Sequence, residues 1–138
     1  MSEDARIEVR TRCQPTEVQE RVYAAISALF PKSTISRDGT EVIAIGDDGS
    51  TLRSALERYQ VRAAFSGRLH AAARNGTLLF TLSKQAALMG VPSLGVGHPL
   101  GELVVQVHLA PTADAHRWVD WLTGREAWPM LKGHDSEE

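Results

Sequence analysis

The segment ELVVQVHL, residues 102–109, is the sequence feature that most restricts what this chain can fold into. Large apolar side chains occupy every second position, at Leu103, Val105, Val107 and Leu109. A period of two places successive side chains on opposite faces of a strand, so one face of this strand must be buried in a core. Residues 5–13, ARIEVRTRC, alternate in the same way and predict a second half-buried strand.

The residues after the first strand predict a helix and then a hairpin. Thr16, with Gln19 three residues later, forms a capping-box pattern that predicts a helix start, and Pro31 ends that helix. Asp38-Gly39 is the kind of dipeptide that makes a two-residue hairpin turn. It lies between strands predicted at residues 34–37 and 40–45.

The middle of the chain predicts a long helix followed by a strand. Ser50 is placed to cap a helix that runs to about residue 73, and Gly67 is the position at which that helix is expected to bend or break. A strand is predicted at residues 77–82, and a last helix carries Trp118 and Trp121 on one side.

These elements follow the order strand, helix, strand, strand, helix, strand, strand, helix. Hairpins and helices grouped in this way predict an α+β fold, with a mainly antiparallel sheet and helices packed on one face. A chain of 138 residues is the size of one domain. We expect a single domain over residues 1–130 and a disordered polar tail over residues 131–138.

Composition argues against several classes of protein. No apolar run approaches the roughly 18 residues of a membrane span, and the N-terminus lacks the apolar region of a secretory signal. Cys13 is the only cysteine, so an intrachain disulfide and a cysteine-based zinc site are impossible. A cytoplasmic protein is therefore expected.

No residues form a recognisable catalytic or metal-binding set. His116 and Asp120, four residues apart, make half of a metal-ligand set, but single pairs of this spacing are usually surface residues. The glycines of GVGHPLG, residues 95–101, have neither phosphate-loop spacing and lead into a strand. We expect no metal, no cofactor and no enzymatic activity.

Positive charge is concentrated in the middle of the chain. Residues 51–84 contain a single acid, Glu57, and have a net charge of +5, whereas the whole chain has a net charge of −2. The basic residues are Arg53, Arg58, Arg62, Arg68, Arg74 and Lys84. This pattern is compatible with an anionic partner. A solvated helix face that uses arginine accounts for the same composition.

Residues 81–90, TLSKQAALMG, place a lysine and a glutamine where a strand gives way to small residues. In a structural interpretation, Gln85 satisfies loop backbone groups and Lys84 extends along the surface to water. In a functional interpretation, Lys84 joins Arg58 and Arg62 in an anion-binding edge, and Gln85 contacts a base or a sugar hydroxyl.

Five short segments resemble an uncharacterised archaeal protein family. They are Pro15-Thr16-Glu17, Leu29-Phe30-Pro31, Lys84-Gln85-Ala86-Ala87 with Gly90, Pro99-Leu100-Gly101, and Asp120-Trp121-Leu122. The match extends from about residue 7 to residue 122. Members of that family resemble ribosomal protein L five in fold, an α+β domain that binds RNA. The resemblance implies RNA binding only through the fold, and a fold does not determine a function.

Two hypotheses from different classes follow. The first is a non-enzymatic protein that binds RNA phosphates through the basic middle segment, with Arg53, Arg58, Arg62, Arg68, Lys84 and Gln85 as the contact residues. The second is a protein-interaction or structural module, in the form of a homodimer that uses an exposed sheet face or edge. A contiguous basic surface favours the first hypothesis, and an exposed apolar patch favours the second.

Overall fold

The computed structural model describes residues 5–95, 101–110 and 114–124. Its strands are β1 (Ala5–Arg12), β2 (Thr34–Asp38), β3 (Glu41–Gly46), β4 (Thr77–Ser83) and β5 (Glu102–Leu109). They form one antiparallel sheet in the order β2-β3-β1-β5-β4, so the first strand lies at the centre. The predicted antiparallel sheet is confirmed, and all five predicted strands are present.

Within the described residues, five helices accompany the sheet. They are α1 (Gln19–Leu29), α2 (Ser50–Arg58), α3 (Arg62–Ala72), α4 (Lys84–Leu88) and α5 (Ala115–Leu122). Their buried apolar residues join one core with the inward side chains of the strands. The predicted α+β class is therefore confirmed. None of the helices described is long and apolar enough to cross a membrane.

The two strands with the clearest alternation form the centre of the core. Val9 pairs with Val105, and Ile7 pairs with Val107, all on the face that the helices cover. On the other face, Leu79 of β4 is 53% exposed and Ile45 of β3 is 40% exposed. The period of two thus separates a buried face from an open one.

Two predicted boundaries are wrong by a few residues. Thr16 does not cap α1, which begins at Gln19 with Val18 in the N-cap position. Instead, the Gln14 N–H donates to the Glu17 carboxylate at 2.8 Å, which fixes a turn before the helix. Asp38 pairs with Glu41, so the hairpin turn lies one residue later than predicted.

The middle helix breaks at a different place from the one predicted. Gly67 lies inside α3, and the break falls at Gln60, which has a φ of 57°. The Val61 N–H donates to the Leu56 carbonyl and the Gln60 N–H to the Glu57 carbonyl, which together form a Schellman motif at the end of α2. A glutamine therefore occupies the left-handed position where glycine is usual.

Helix α4 was not predicted, and it contains the lysine and glutamine of TLSKQAALMG. The Ser83 hydroxyl ends β4 and caps α4 by accepting the Ala86 N–H at 3.2 Å. Residues 99–100 and the expected tail, residues 131–138, lie outside the described residues.

Candidate functional site

The structure divides the six predicted contact residues into three groups, of which Arg53 alone forms the third. Arg58, Arg62 and Arg68 are exposed on α2 and α3, and we call these three residues the arginine surface. Lys84 and Gln85 lie on α4, which packs against α1. The Lys84 ammonium bonds to Glu17 and Arg12, so its side chain extends towards the end of β1 and the start of α1.

The arginine surface leaves most of its donors available. The Arg58 guanidinium stacks over the Tyr59 ring, 5.9 Å from its centre. Arg68 makes one long hydrogen bond, 3.5 Å, to the Gly95 carbonyl. Arg62 lines an open polar depression of about 560 Å³ together with Gln60 and Gly124. Each guanidinium has five N–H donors, and within the part of the chain that the structure describes these contacts leave many of them unused.

Arg53 has a structural role instead. Its Nε donates to the Trp121 carbonyl at 2.7 Å, and its guanidinium lies 5.5 Å from the centre of the Trp121 ring. The side chain is half-buried and joins α2 to α5. Arg53 therefore fixes the helix that carries Arg58.

Lys84 is buried, with 7% of its surface exposed, so the expectation that it reaches water is wrong. Its Nζ donates to the Glu17 carboxylate oxygens at 3.0 and 3.1 Å and to the Arg12 carbonyl at 2.8 Å. An ammonium inside a fold requires such partners because losing water is costly. Lys84 is consequently removed from the set of phosphate contacts.

Glu17 was missed by sequence reasoning, although it lies in the Pro15-Thr16-Glu17 segment. Burial raises the pKa of the Glu17 carboxyl, but the Gln14 N–H and the Lys84 ammonium lower it by more, and the net pKa is below its ordinary value. The carboxylate is therefore ionised at neutral pH and compensates the charge of Lys84. No sequence signal links the two residues, because they are distant in the chain.

A cluster of three polar side chains joins α3 to α5. His70 lies between the two residues considered as half of a metal set: its Nδ1 is 2.8 Å from Nδ1 of His116, and its Nε2 is 2.9 Å from Asp120 Oδ1. Both ring nitrogens of His70 thus have a partner, and the three side chains do not point towards a common position that a metal ion could occupy. Within the described residues, no group of three or more His, Cys, Asp or Glu side chains could hold a metal ion.

A five-stranded antiparallel sheet with helices on one face defines the class as a small α+β domain. The UPF0201 protein of Methanopyrus kandleri is 31% identical to this chain over 136 residues, with 86% of this chain and 84% of that protein covered. A UPF0201 protein of Methanothermobacter thermautotrophicus is 29% identical over 122 residues, with 85% and 89% covered. The chain belongs to the UPF0201 family, which confirms the resemblance to an uncharacterised archaeal family.

A solved structure agrees with this assignment. The crystal structure of an uncharacterized UPF0201 protein has a TM-score of 0.81 and 21% identity to this chain, covering 88% of this chain and 94% of that one. At this identity the likeness establishes a shared fold. No family model matches the chain.

Proposed function

We propose that this protein is a non-enzymatic, cytoplasmic RNA-binding protein that contacts phosphates through the arginine surface. The observation that carries the proposal is the exposure of Arg58, Arg62 and Arg68 on two consecutive helices, in a segment where Glu57 is the only acid. A guanidinium is always charged and forms two parallel hydrogen bonds with a phosphate. Contacts of this kind bind RNA without reading its sequence.

The shape of α3 supports the same proposal. The residues exposed next to Arg62 and Arg68 are small: Ala63, Ala64, Gly67 and Ala71. Small side chains let a phosphate backbone approach the helix closely, so that arginines at its border reach the phosphate oxygens. The resemblance of the family to ribosomal protein L five in fold, an RNA-binding domain, also belongs to this proposal.

The test is RNA binding by the full chain across a series of salt concentrations. A variant with Arg58→Ala, Arg62→Ala and Arg68→Ala should bind more weakly at low salt. Its plot of log affinity against log salt should be shallower, by about 0.7 for each phosphate of a single strand that the protein no longer neutralises. The arginines are exposed, so the variant should remain folded.

A matched control removes the same charge elsewhere. Arg6, Arg12 and Lys32 are exposed and lie outside α2 and α3, and their replacement by alanine should leave the salt slope unchanged. Equal reductions of affinity in the control and in the test variant would mean that net charge alone drives binding. The absence of RNA binding by the wild type at low salt would overturn the proposal.

A second candidate function, a homodimer formed through the open sheet face, is favoured by the exposure of Leu79 and Ile45. Glu8 and Arg10 also lie on this face, where they form an ion pair at 2.6 Å within one chain. Leu79→Lys should convert a dimer into a monomer in sedimentation velocity. A wild type that sediments as a monomer at high concentration contradicts this candidate.

A further inference from the structure

A cleft of about 340 Å³ lies between the start of α1 and the short helix α4. It is lined on one side by Glu17, Arg21 and Val22, and on the other by Lys84, Gln85 and Leu88. We call it the α1–α4 cleft. Its volume falls in the range of sites for small molecules, which combine an apolar lining with a few polar groups.

The most deeply buried charges of the cleft compensate each other. Lys84 and Glu17 form an ion pair at 3.0 Å, and the Gln14 N–H and the Arg12 carbonyl add further hydrogen bonds. A ligand would have to break this pair to use either charge. The pair therefore contributes shape to the cleft but little net charge.

Besides the exposed Thr16, the cleft has Arg21 and Gln85 as polar side chains that remain available. Arg21 and Gln85 are exposed, and neither makes a side-chain hydrogen bond or ion pair with any residue of the described ranges. The guanidinium offers only donors, and the amide offers donors together with one acceptor. With the ion pair closed, the free charge of the cleft is that of Arg21, so the complementary ligand group is an anion that accepts hydrogen bonds.

The remaining wall is aliphatic. Val22 and Ala25 are buried at the base of the cleft, and Leu88 is half-buried on the opposite side. Val18, 55% exposed, stands at the rim. A hydrocarbon group placed here would cover the exposed surface of Val18 and Leu88, since Val22 and Ala25 are already buried. Burial of this kind favours binding by about 25 cal/mol for each Å² removed from water.

We propose that the α1–α4 cleft binds a small aliphatic carboxylate, with the carboxylate on Arg21 and Gln85 and the branched hydrocarbon against Val22, Ala25 and Leu88. This places a function on the Lys84-Gln85 segment that is independent of RNA. Lys84 acts as a positioning residue, because its bond to Glu17 holds α4 against the residues before α1. A ligand of this size binds in the millimolar range.

The test follows the backbone amide signals of isotope-labelled full-length protein by NMR during titration with isovalerate. Isoamylamine and isoamyl alcohol are the matched probes, since they share the branched hydrocarbon and differ in the polar group. Isovalerate should shift the amide signals of α1 and α4 in a saturable way, and the two other probes should bind at least about tenfold more weakly. Equal binding of all three probes, or no saturable shift with isovalerate, would overturn the proposal.

Variants separate the anion contact from general effects of charge. Arg21→Ala should weaken isovalerate binding about tenfold, because it removes a charge-assisted hydrogen bond. Arg21→Lys should recover part of the affinity, since the charge returns without the planar geometry. Arg6→Ala, on the opposite face of the sheet, should leave the affinity unchanged. An Arg21→Ala protein that binds isovalerate as the wild type does would contradict the assigned contact.

Discussion

Lys84 is a charged side chain inside the fold, and its ammonium donates to the Glu17 carboxylate and the Arg12 carbonyl. We expect Lys84→Met to lower the free energy of unfolding by about 1–3 kcal/mol, because the Glu17 carboxylate would lose its cation. The value is below that of a fully buried pair because Glu17 is 30% exposed. Urea denaturation measures the change. Gln85→Ala, at the exposed neighbouring residue, should change the free energy of unfolding by less than about 0.5 kcal/mol. If it destabilises the protein as much as Lys84→Met does, the ion pair is not the cause.

Glu17 should make stability depend on pH. Its pKa is below the ordinary value in the folded chain, despite the opposing effect of burial, so the carboxylate releases its proton more readily when folded. The stabilisation is present above the unfolded pKa of about 4.3 and is lost as pH falls through the folded pKa. We expect Glu17→Gln to flatten this acid limb of stability, measured by urea denaturation at a series of pH values.

Asp48 provides a comparison for the pH experiment. Burial raises its pKa, but hydrogen bonds from Ser50 and the bond and charge of Lys32 lower it by more, so its stabilisation also disappears in acid. Asp48→Asn should therefore flatten part of the same limb while the part due to Glu17 remains. If Glu17→Gln leaves the acid limb unchanged, the ion pair with Lys84 does not stabilise the fold.

At this scale the sequence predicted the exposure of the arginines, but neither the burial nor the partner of Lys84. Arg58, Arg62 and Arg68 are exposed as expected, because they lie opposite the apolar positions of their helices. The partner of Lys84 could not be predicted, because Glu17 is brought to it only by the packing of α4 against α1. A lysine beside alanines carries no local signal that distinguishes burial from exposure.

At the scale of elements, the end of α2 depends on an unusual conformation. Gln60 has a φ of 57°, which costs a residue with a Cβ about 1 kcal/mol and costs glycine nothing. We expect Gln60→Gly to raise the free energy of unfolding by about 0.5–1 kcal/mol. Glycine has more conformational entropy in the unfolded chain, and this effect reduces the gain. Gln60→Val, which adds a branched Cβ, should lower it. Denaturant midpoints measure both, and a destabilised Gln60→Gly protein would contradict the Schellman assignment.

The most reliable predictions are the strands whose alternating pattern extends over many residues, and the errors lie in short segments. The strands at β1 and β5 extend over eight residues each, enough for a period of two to be unambiguous. Helix α4 has only five residues, fewer than are needed to show a helical period, and it follows a strand directly. The break at Gln60 was missed because glutamine carries no turn signal, whereas Gly67 does.

At the scale of the molecule, the sheet pairs the first described strand with the last one. β1 lies between β3 and β5, so the backbone hydrogen bonds along one of its edges form with the last strand, β5. The helices α3 and α5 are joined in addition by His70 and Asp120. Each half of the described sheet contains strands that pair with strands of the other half, so we expect one cooperative unit.

Cooperativity is testable because the buried tryptophans and the backbone report on different parts of the molecule. Tryptophan fluorescence reports on α5, which carries the buried Trp118 and Trp121. Far-ultraviolet circular dichroism reports on all helices and strands. The urea transitions followed by the two signals should coincide.

Val105→Ala, at the centre of β5, should lower the free energy of unfolding by about 2 kcal/mol and shift both transitions together. The adjacent Val104→Ala, on the open face, should cost less than about 1 kcal/mol. Separate transitions, or a Val105→Ala shift in one signal only, would show that the sheet is not a single folding unit.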